Sequence, residues 1–357
     1  MAPSTPFLAI DLERMQASIA RAAEAATARG IALRPHAKTH KTIEIGRMQL
    51  AAGAHGLTVA TVGEAEAFAA AGLDDLFIAF PLWIDGDRAA RLSHLTAAGA
   101  AISIGVDSVE GAERIARAGL AGRVAARVEV DVGHHRSGCA PERAGEVAVA
   151  AAQAGIDVEG VFAFPGHAYA PDARAEAARQ EAAGLRAAAD AMRSAGLEPM
   201  VVSGGSTPSF AAALEIDSPV TELRPGVSVF GDAQQWELGT IDPTAIALTV
   251  HATVVSHAGG RMVLDAGSKV LGPDRAAWAS GHGRLLDHPE ARVAQLSEHH
   301  AVVELPGDLP PLGSRVRVVP NHVCMAVNLV DELHVFDRGD DERPSTRWRV
   351  AARGRND

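Results

Sequence analysis

The rhythm of apolar segments constrains the fold of this chain more than any other feature. Short apolar runs occupy residues 31–37, 57–61, 76–81, 101–106, 124–131, 159–164, 200–203 and 220–223. Ala-rich segments long enough for helices lie between them, at 41–53, 63–72, 86–98, 108–119, 141–155, 174–195 and 207–214. Strands alternating with helices predict an α/β fold with a parallel sheet. A doubly wound sheet shows the same rhythm. The count of eight, with no GxGxxG after the first strand, favours a (β/α)8 TIM-type barrel. The rhythm stops near 235. From about 245 the pattern turns strand-like: IALTVHATVVSH, GRMVLDAGS, HAVVEL, SRVRVVPNH and ELHVFD, punctuated by Gly and Pro clusters. That predicts a second, mainly-β domain. The expected division is a barrel over 1–238 and a β domain over 239–357. A short strand at 8–12 leads into an amphipathic helix over 12–28. It precedes the barrel rhythm, so roughly the first ten residues are candidates for the β domain. Residues 345–357 read as a last strand and a frayed end.

Composition excludes several classes of function. The 357 residues carry a formal charge of -11, which argues against nucleic acid as a partner. No apolar run reaches the ~18 residues that span a bilayer. The start, MAPSTPFLAIDLERM, has no basic segment followed by a long apolar core, so no signal peptide is expected. The two cysteines, Cys139 and Cys324, are far apart and suit a reducing cytoplasm.

Only three lysines occur, and two of them, Lys38 and Lys41, fall in Arg34-Pro35-His36-Ala37-Lys38-Thr39-His40-Lys41. An amine can lose its proton and attack a carbonyl, which a guanidinium cannot. Neighbouring cations favour the neutral amine. The competing reading is a solvated basic loop. Barrel active sites lie at the C-terminal ends of the strands, and polar or glycine-rich residues follow five of the predicted strands. They are His36–His40, Asp131–Gly138, Pro165–Tyr169, Ser203–Pro208 and Glu222–Gly226. Ser203-Gly204-Gly205-Ser206-Thr207 has the glycines and hydroxyls of a phosphate cradle leading into a helix. A plain Ser/Thr cap would look similar. A reactive lysine facing a phosphate cradle points to pyridoxal phosphate. Arg136 and Arg224 are in reach of its ring, with Glu222 as the alternative partner for the pyridine nitrogen. Tyr169, the single tyrosine, and His167 form a candidate acid/base pair; packing is the alternative for Tyr169. In Pro320-Asn321-His322-Val323-Cys324, an extended backbone puts His322 and Cys324 on one face. An imidazole and a thiolate suit zinc, with manganese as the alternative. A buried His and Cys in a strand is the competing explanation. His299 and His300 are weaker candidates beside them.

RPHAKTHK, DVGHHRSG, FPGHAY, SGGSTP, ELRPG, DAGSK and PNHVC, in that order, resemble the D-serine dehydratase / D-threonine aldolase-like family. Its members are fold-type III, alanine-racemase-like pyridoxal phosphate enzymes. The resemblance runs from about residue 5 to 340. It implies a homodimer with shared active sites. Lys38 matches the Schiff-base lysine, and Arg136 the arginine near the cofactor's phenolic oxygen. Ser203, Gly204, Gly205, Ser206 and Thr207 match part of the phosphate site, to which Gly226 adds an N–H. His322 and Cys324 match the metal pair, and His167 and Tyr169 the loop facing the substrate. Alanine racemases take a second base from a tyrosine of the C-terminal domain; here the single tyrosine lies in the barrel half, against two-base racemisation. The activity implied is a metal-dependent lyase of 3-hydroxy D-amino acids. Aldolase members tend to carry a carboxylate where dehydratases carry a thiolate, so Cys324 favours D-serine dehydratase, giving pyruvate and ammonia. The alternatives are D-threonine aldolase and a 3-hydroxy-D-aspartate aldolase or dehydratase. A non-catalytic cofactor-binding protein is the rival from another class. The long segment after 240, with its metal pair, argues against it.

Overall fold

A computed structural model describes residues 3–357. The chain forms two compact units. One comprises Ala23–Lys38, Gln49–Gly226 and Arg355–Asp357; the other takes residues up to Ala22, Thr39–Met48 and Val227–Gly354. The β-rich unit thus begins at Val227 and recruits two earlier segments. With strands numbered in chain order, β1 (Phe7–Asp11) belongs to the β-rich unit. The other unit contains β2 (Ala32–Leu33), β3 (Leu57–Val59), β4 (Asp75–Pro81), β5 (Ala101–Val106), β6 (Ala125–Glu129), β7 (Asp157–Phe162), β8 (Val201–Gly204) and β9 (Glu222–Leu223).

These eight strands are parallel, in the order β2-β9-β8-β7-β6-β5-β4-β3. A parallel bridge between His36 and Thr58 joins the two ends of that order and closes the barrel. The Thr58 N–H donates to Pro35 O at 2.9 Å, and Thr58 Oγ1 to Arg34 O at 2.7 Å. Every apolar run read as a barrel strand is one, and the Ala-rich segments between them form the helices. The barrel is filled by Phe77 and Phe162, edge to face at 4.9 Å, and by a buried ionic network. Glu222 on β9 is its centre. Arg34 Nε reaches Glu222 Oε2 at 2.8 Å, Arg127 Nη1 reaches Oε1 at 2.6 Å, and Ser203 Oγ donates to Oε1. Burial acts to raise the carboxyl, but Arg127 and Arg34, with Ser203, outweigh it and bring it down to about 2.

The second unit continues with β10 (Leu248–Ser256), β11 (Met262–Leu264), β12 (Gly283–Leu285), β13 (His288–Leu296), β14 (Ala301–Glu304), β15 (Arg315–Pro320), β16 (Glu332–Phe336) and β17 (Thr346–Arg349). With β1 they form one sheet, ordered β11-β14-β13-β12-β15-β10-β1-β16-β17. All its pairings are antiparallel except β1 with β16. β1 is an interior strand, paired on both sides, with Phe7–Ile10 buried.

Two expectations are corrected and one competing reading is set aside. The segment after β15 is not extended: Val323–Asn328 is a helix with His322 at its N-cap position. Pro320 and the buried Asn321 end the strand. Asn321 Nδ2 donates to the carbonyls of Asp274 and Gly281, and Asp232 accepts the Val323 N–H. The basic octapeptide is not a solvated loop. His40 and Lys41 are buried; Lys41 has φ 50 and donates through Nζ to Asn328 Oδ1 at 2.8 Å. The C-terminus is not frayed in isolation. Thr61 Oγ1 donates to Arg355 O, the Gly63 N–H to Asp357 O, and Arg91 pairs with the Asp357 side chain at 2.9 Å. No helix among the described residues is long and apolar enough to cross a membrane.

Removing one partner of a buried ion pair leaves the others uncompensated. Glu222→Gln is expected to cost about 3–5 kcal/mol, measured as a lower urea midpoint. Because the folded carboxyl lies below its unfolded value of ~4.3, the stability it supplies is complete above that value. It is lost as pH falls toward about 2.

Candidate active site

The C-terminal ends of the barrel strands surround a cavity of about 460 Å3, within the usual range for small-molecule sites. His36, Lys38, Asp107, Arg136, Ser137, Phe164, Gly205 and Arg224 line it. Lys38 sits in a single 3-10 turn, Ala37–Thr39, immediately after β2. Its Nζ lies 5.9 Å from the centre of the Phe164 ring, and the Arg136 guanidinium stacks on that ring at 4.9 Å.

Arg224 follows β9 and is buried. It donates to Ser203 Oγ through Nη1 and to Ala163 O through Nη2. Burial lowers it to about 10 despite the nearby Glu222 and Glu181 carboxylates. Glu222 does not line the cavity; it lies among Arg34, Arg127 and Ser203. Of the two candidates for the pyridine nitrogen, therefore, Arg224 is the one exposed to the cavity. Arg136 has Glu129 behind it, at 3.8 Å. Burial raises the Glu129 carboxyl, with Ser137 and Arg136 opposing. Burial, then the charges of Lys38 and Arg224, hold His36 well below the usual histidine value, so it is neutral near pH 7. Its Nδ1 is buried without a hydrogen-bond partner.

The Ser203–Thr207 turn is more internally bonded than its composition indicates. Ser203 belongs to the Glu222 network. The Gly205 N–H donates to Glu181 Oε1 at 2.7 Å, the Ser206 N–H donates to Ser209 Oγ at 3.0 Å, and the Ser206 and Ser209 hydroxyls are 2.9 Å apart. Gly205 has φ +83, and a Cβ there would lie 2.5 Å from Leu223 Cδ2. Gly226, in contrast, donates its N–H to nothing among the described residues. His167 and Tyr169 lie in a 3-10 turn, Gly166–Tyr169, and do not line the cavity. His167 packs on Gly133, with both ring nitrogens buried and unpartnered; the Tyr169 ring lies 6.4 Å from that of Phe164.

In the β-rich unit, His322 and Cys324 are adjacent despite the helical backbone. Cys324 Sγ is 3.3 Å from Thr39 Oγ1, and His322 Nδ1 is 2.9 Å from Asp274 Oδ2. Burial opposes a charge on His322, but Cys324 and Asp274 outweigh it and raise the imidazole to about 11. Among the described residues no third His, Cys, Asp or Glu joins them in a metal-sized cluster. His299 and His300 are exposed between β13 and β14. Asp274 and Glu181 escape sequence reading: each is a single acid far in sequence from its partner, within no motif.

Pyridoxal phosphate suits the residues at the barrel mouth: a primary amine, two arginines at a ring-sized cavity, an unpaired Gly226 N–H and a hydroxyl-rich turn. The imidazole–thiol pair suits a divalent metal with open positions.

Residues 10–234 match the alanine racemase N-terminal domain, and residues 247–336 the putative serine dehydratase domain. The chain is 35% identical to the D-threo-3-hydroxyaspartate dehydratase of Delftia sp. (strain HT23), over 90% of each chain. It is 34% identical to the D-threonine aldolase of Arthrobacter sp., over 98% of this chain and 93% of that one. The solved structure of the Delftia dehydratase superposes with a TM-score of 0.88, covering 98% of this chain and 97% of that one. Two further structures of a D-threo-3-hydroxyaspartate dehydratase replace a histidine and a cysteine two positions apart, the cysteine variant in metal-free form. The architecture is the alanine-racemase-like one, and the characterised relatives are lyases of D-amino acids. The chain belongs to the fold-type III pyridoxal-phosphate-dependent family that joins an alanine racemase N-terminal domain to a serine dehydratase domain.

The Gly205 position yields a direct test of the turn. Gly205→Ala adds a side chain at positive φ against Leu223, and about 1–3 kcal/mol of destabilisation is expected, checked by thermal unfolding.

Proposed function

We propose that the protein is a pyridoxal-phosphate- and metal-dependent lyase of 3-hydroxy D-amino acids that eliminates water, with D-serine as its substrate and pyruvate and ammonia as products. The observation that carries the reading is the Asp274–His322–Cys324 array, a metal pair with a thiol rather than a second carboxylate. Its two-residue spacing matches that of the histidine and cysteine replaced in the relative's variants. When bound, pyridoxal phosphate supplies an electron sink for Cα, and the metal, zinc by donor softness, supplies Lewis acidity toward the leaving hydroxyl.

The chain's own residues do the rest. Lys38 would hold the cofactor through its amine, and the same amine is the chain's own base for the Cα proton. Arg136 faces the phenolic oxygen, held by the Phe164 ring and by Glu129. Arg224 keeps the pyridine nitrogen unprotonated, because a guanidinium donates and cannot accept. Ser206, Thr207 and Gly226 receive the phosphate. Neutral His36 closes the cavity wall. The Tyr169 ring, 6.4 Å from that of Phe164, backs the cavity-lining ring, and the turn that carries His167 and Tyr169 is the candidate acid/base loop. His322 offers Nε2 to the metal because Asp274 occupies Nδ1. A homodimer and a cytoplasmic location complete the reading.

A second reading, 3-hydroxy-D-aspartate as substrate, is favoured by the match to the Delftia dehydratase. Against it, Asp107 keeps a carboxylate in the cavity lining, which disfavours a second carboxylate on the substrate.

Protein supplied with pyridoxal phosphate and Zn2+ is expected to release pyruvate and ammonia from D-serine faster than it acts on D-threonine or D-threo-3-hydroxyaspartate. Glycine and an aldehyde without keto acid would establish an aldolase, and turnover of none of the three a cofactor carrier. Lys38→Ala is expected to lose the yellow colour that the wild type retains through gel filtration. Asp274→Asn is expected to weaken metal binding about 10–100-fold, measured by competition with a chromophoric chelator, with the colour unchanged.

A further inference from the structure

Glu181 is a buried acid with no place in the reaction just described. It projects from the helix Arg174–Ser194, whose nearest buried positions are Ala177, Ala178, Ala182 and Leu185. Burying a carboxyl against alanines is costly unless its hydrogen bond is needed. The bond it makes is specific. Oε1 accepts the Gly205 N–H at 2.7 Å, and a Cβ on Gly204 would lie 2.7 Å from the same oxygen. Leu223 closes on Gly205 from another direction. The turn after β8 is thus held between a carboxyl on the outer helix layer and an apolar side chain on β9.

We propose that Glu181 is a positioning residue for the cofactor's phosphate. By taking the Gly205 N–H it fixes the turn so that Ser206 and Thr207 face the phosphate, and it does so best in its neutral form. The inference rests on the assignment of this turn to the phosphate. An ionised carboxylate behind the turn would repel a phosphate dianion, whereas a neutral carboxyl still offers its carbonyl oxygen to Gly205. Burial raises Glu181 to about 7, against the Gly205 hydrogen bond and the charge of Arg224, the one charged side chain acting on it. Its protonation therefore changes within the physiological range.

The test compares pyridoxal phosphate with pyridoxal, which has the same aldehyde and no phosphate, by absorbance titration of the apoprotein. Wild type is expected to prefer pyridoxal phosphate at least 100-fold. Glu181→Leu should lose tenfold or more of affinity for pyridoxal phosphate and less than twofold for pyridoxal. Glu181→Gln keeps an acceptor for Gly205 and cannot ionise. It should bind pyridoxal phosphate as well as wild type at pH 6 and several-fold more tightly at pH 8. Equal losses for both ligands in Glu181→Leu would reduce Glu181 to a folding role and overturn the proposal. So would a Glu181→Gln affinity that tracks wild type across pH, a result obtainable even if the leucine variant is insoluble. If wild type prefers pyridoxal phosphate but the Ser206→Ala/Thr207→Val double variant keeps that preference, the phosphate lies elsewhere, and the cradle assignment fails together with this inference.

Discussion

Glu222 is the residue on which the barrel unit depends. It sits on a strand of two residues, β9, beside another of two residues, β2, where the sheet is thinly paired. Backbone pairing over two residues supplies little, and the Arg34–Glu222 ion pair reinforces it across that seam. The same carboxylate draws in Arg127 from β6 and Ser203 from β8. Ser203 in turn takes the Arg224 guanidinium. A buried carboxylate with one partner is an expense; with two guanidiniums and a hydroxyl it is compensated on every side. The cation at the cavity floor is thereby placed from below.

That arrangement recurs. The protein is acidic overall, yet its candidate sites are built from cations and imidazoles, three of which have a carboxyl behind them: Glu222 behind Arg224 by way of Ser203, Glu129 behind Arg136, Asp274 behind His322. Groups meant to face a ligand are fixed by neighbours that do not touch it, the usual requirement for holding reactive groups to within fractions of an ångström.

The barrel was legible in the sequence because its strands are short apolar runs between helices, and that periodicity is local. Lys38 stands out in the sequence because lysine is rare in this chain, and the structure places it in the lining of the barrel cavity. The extended reading of His322–Cys324 failed for a non-local reason. Asp232, ninety-one positions away, accepts the Val323 N–H, and Asn321 is tied to the Asp274 and Gly281 carbonyls. These contacts start a helix where apolar composition alone reads as strand. A solvated loop is a competing reading of Lys41 and His40 because burial is invisible in a basic run, and the Lys41 partner, Asn328, lies 287 positions away. The Ser203–Thr207 motif was visible, but not the division of labour within it, with Ser203 turned to the barrel interior and Gly205 to Glu181.

The seam also sets the order in which the barrel can assemble. Arg34 and Glu222 are 188 residues apart, so the first and last barrel strands meet only after nearly all of the barrel sequence has been synthesised. Until then the growing sheet is open, with Arg34 and Arg127 still charged and hydrated. Those charges oppose premature collapse of a half-built barrel, because a guanidinium cannot be buried before its counter-ion arrives. Closure is a long-range, late event in the history of the chain. The carboxylate that completes it is adjacent in sequence to Leu223, the side chain that packs against the Gly205 turn, so one dipeptide serves both the barrel seam and the turn beside the cavity.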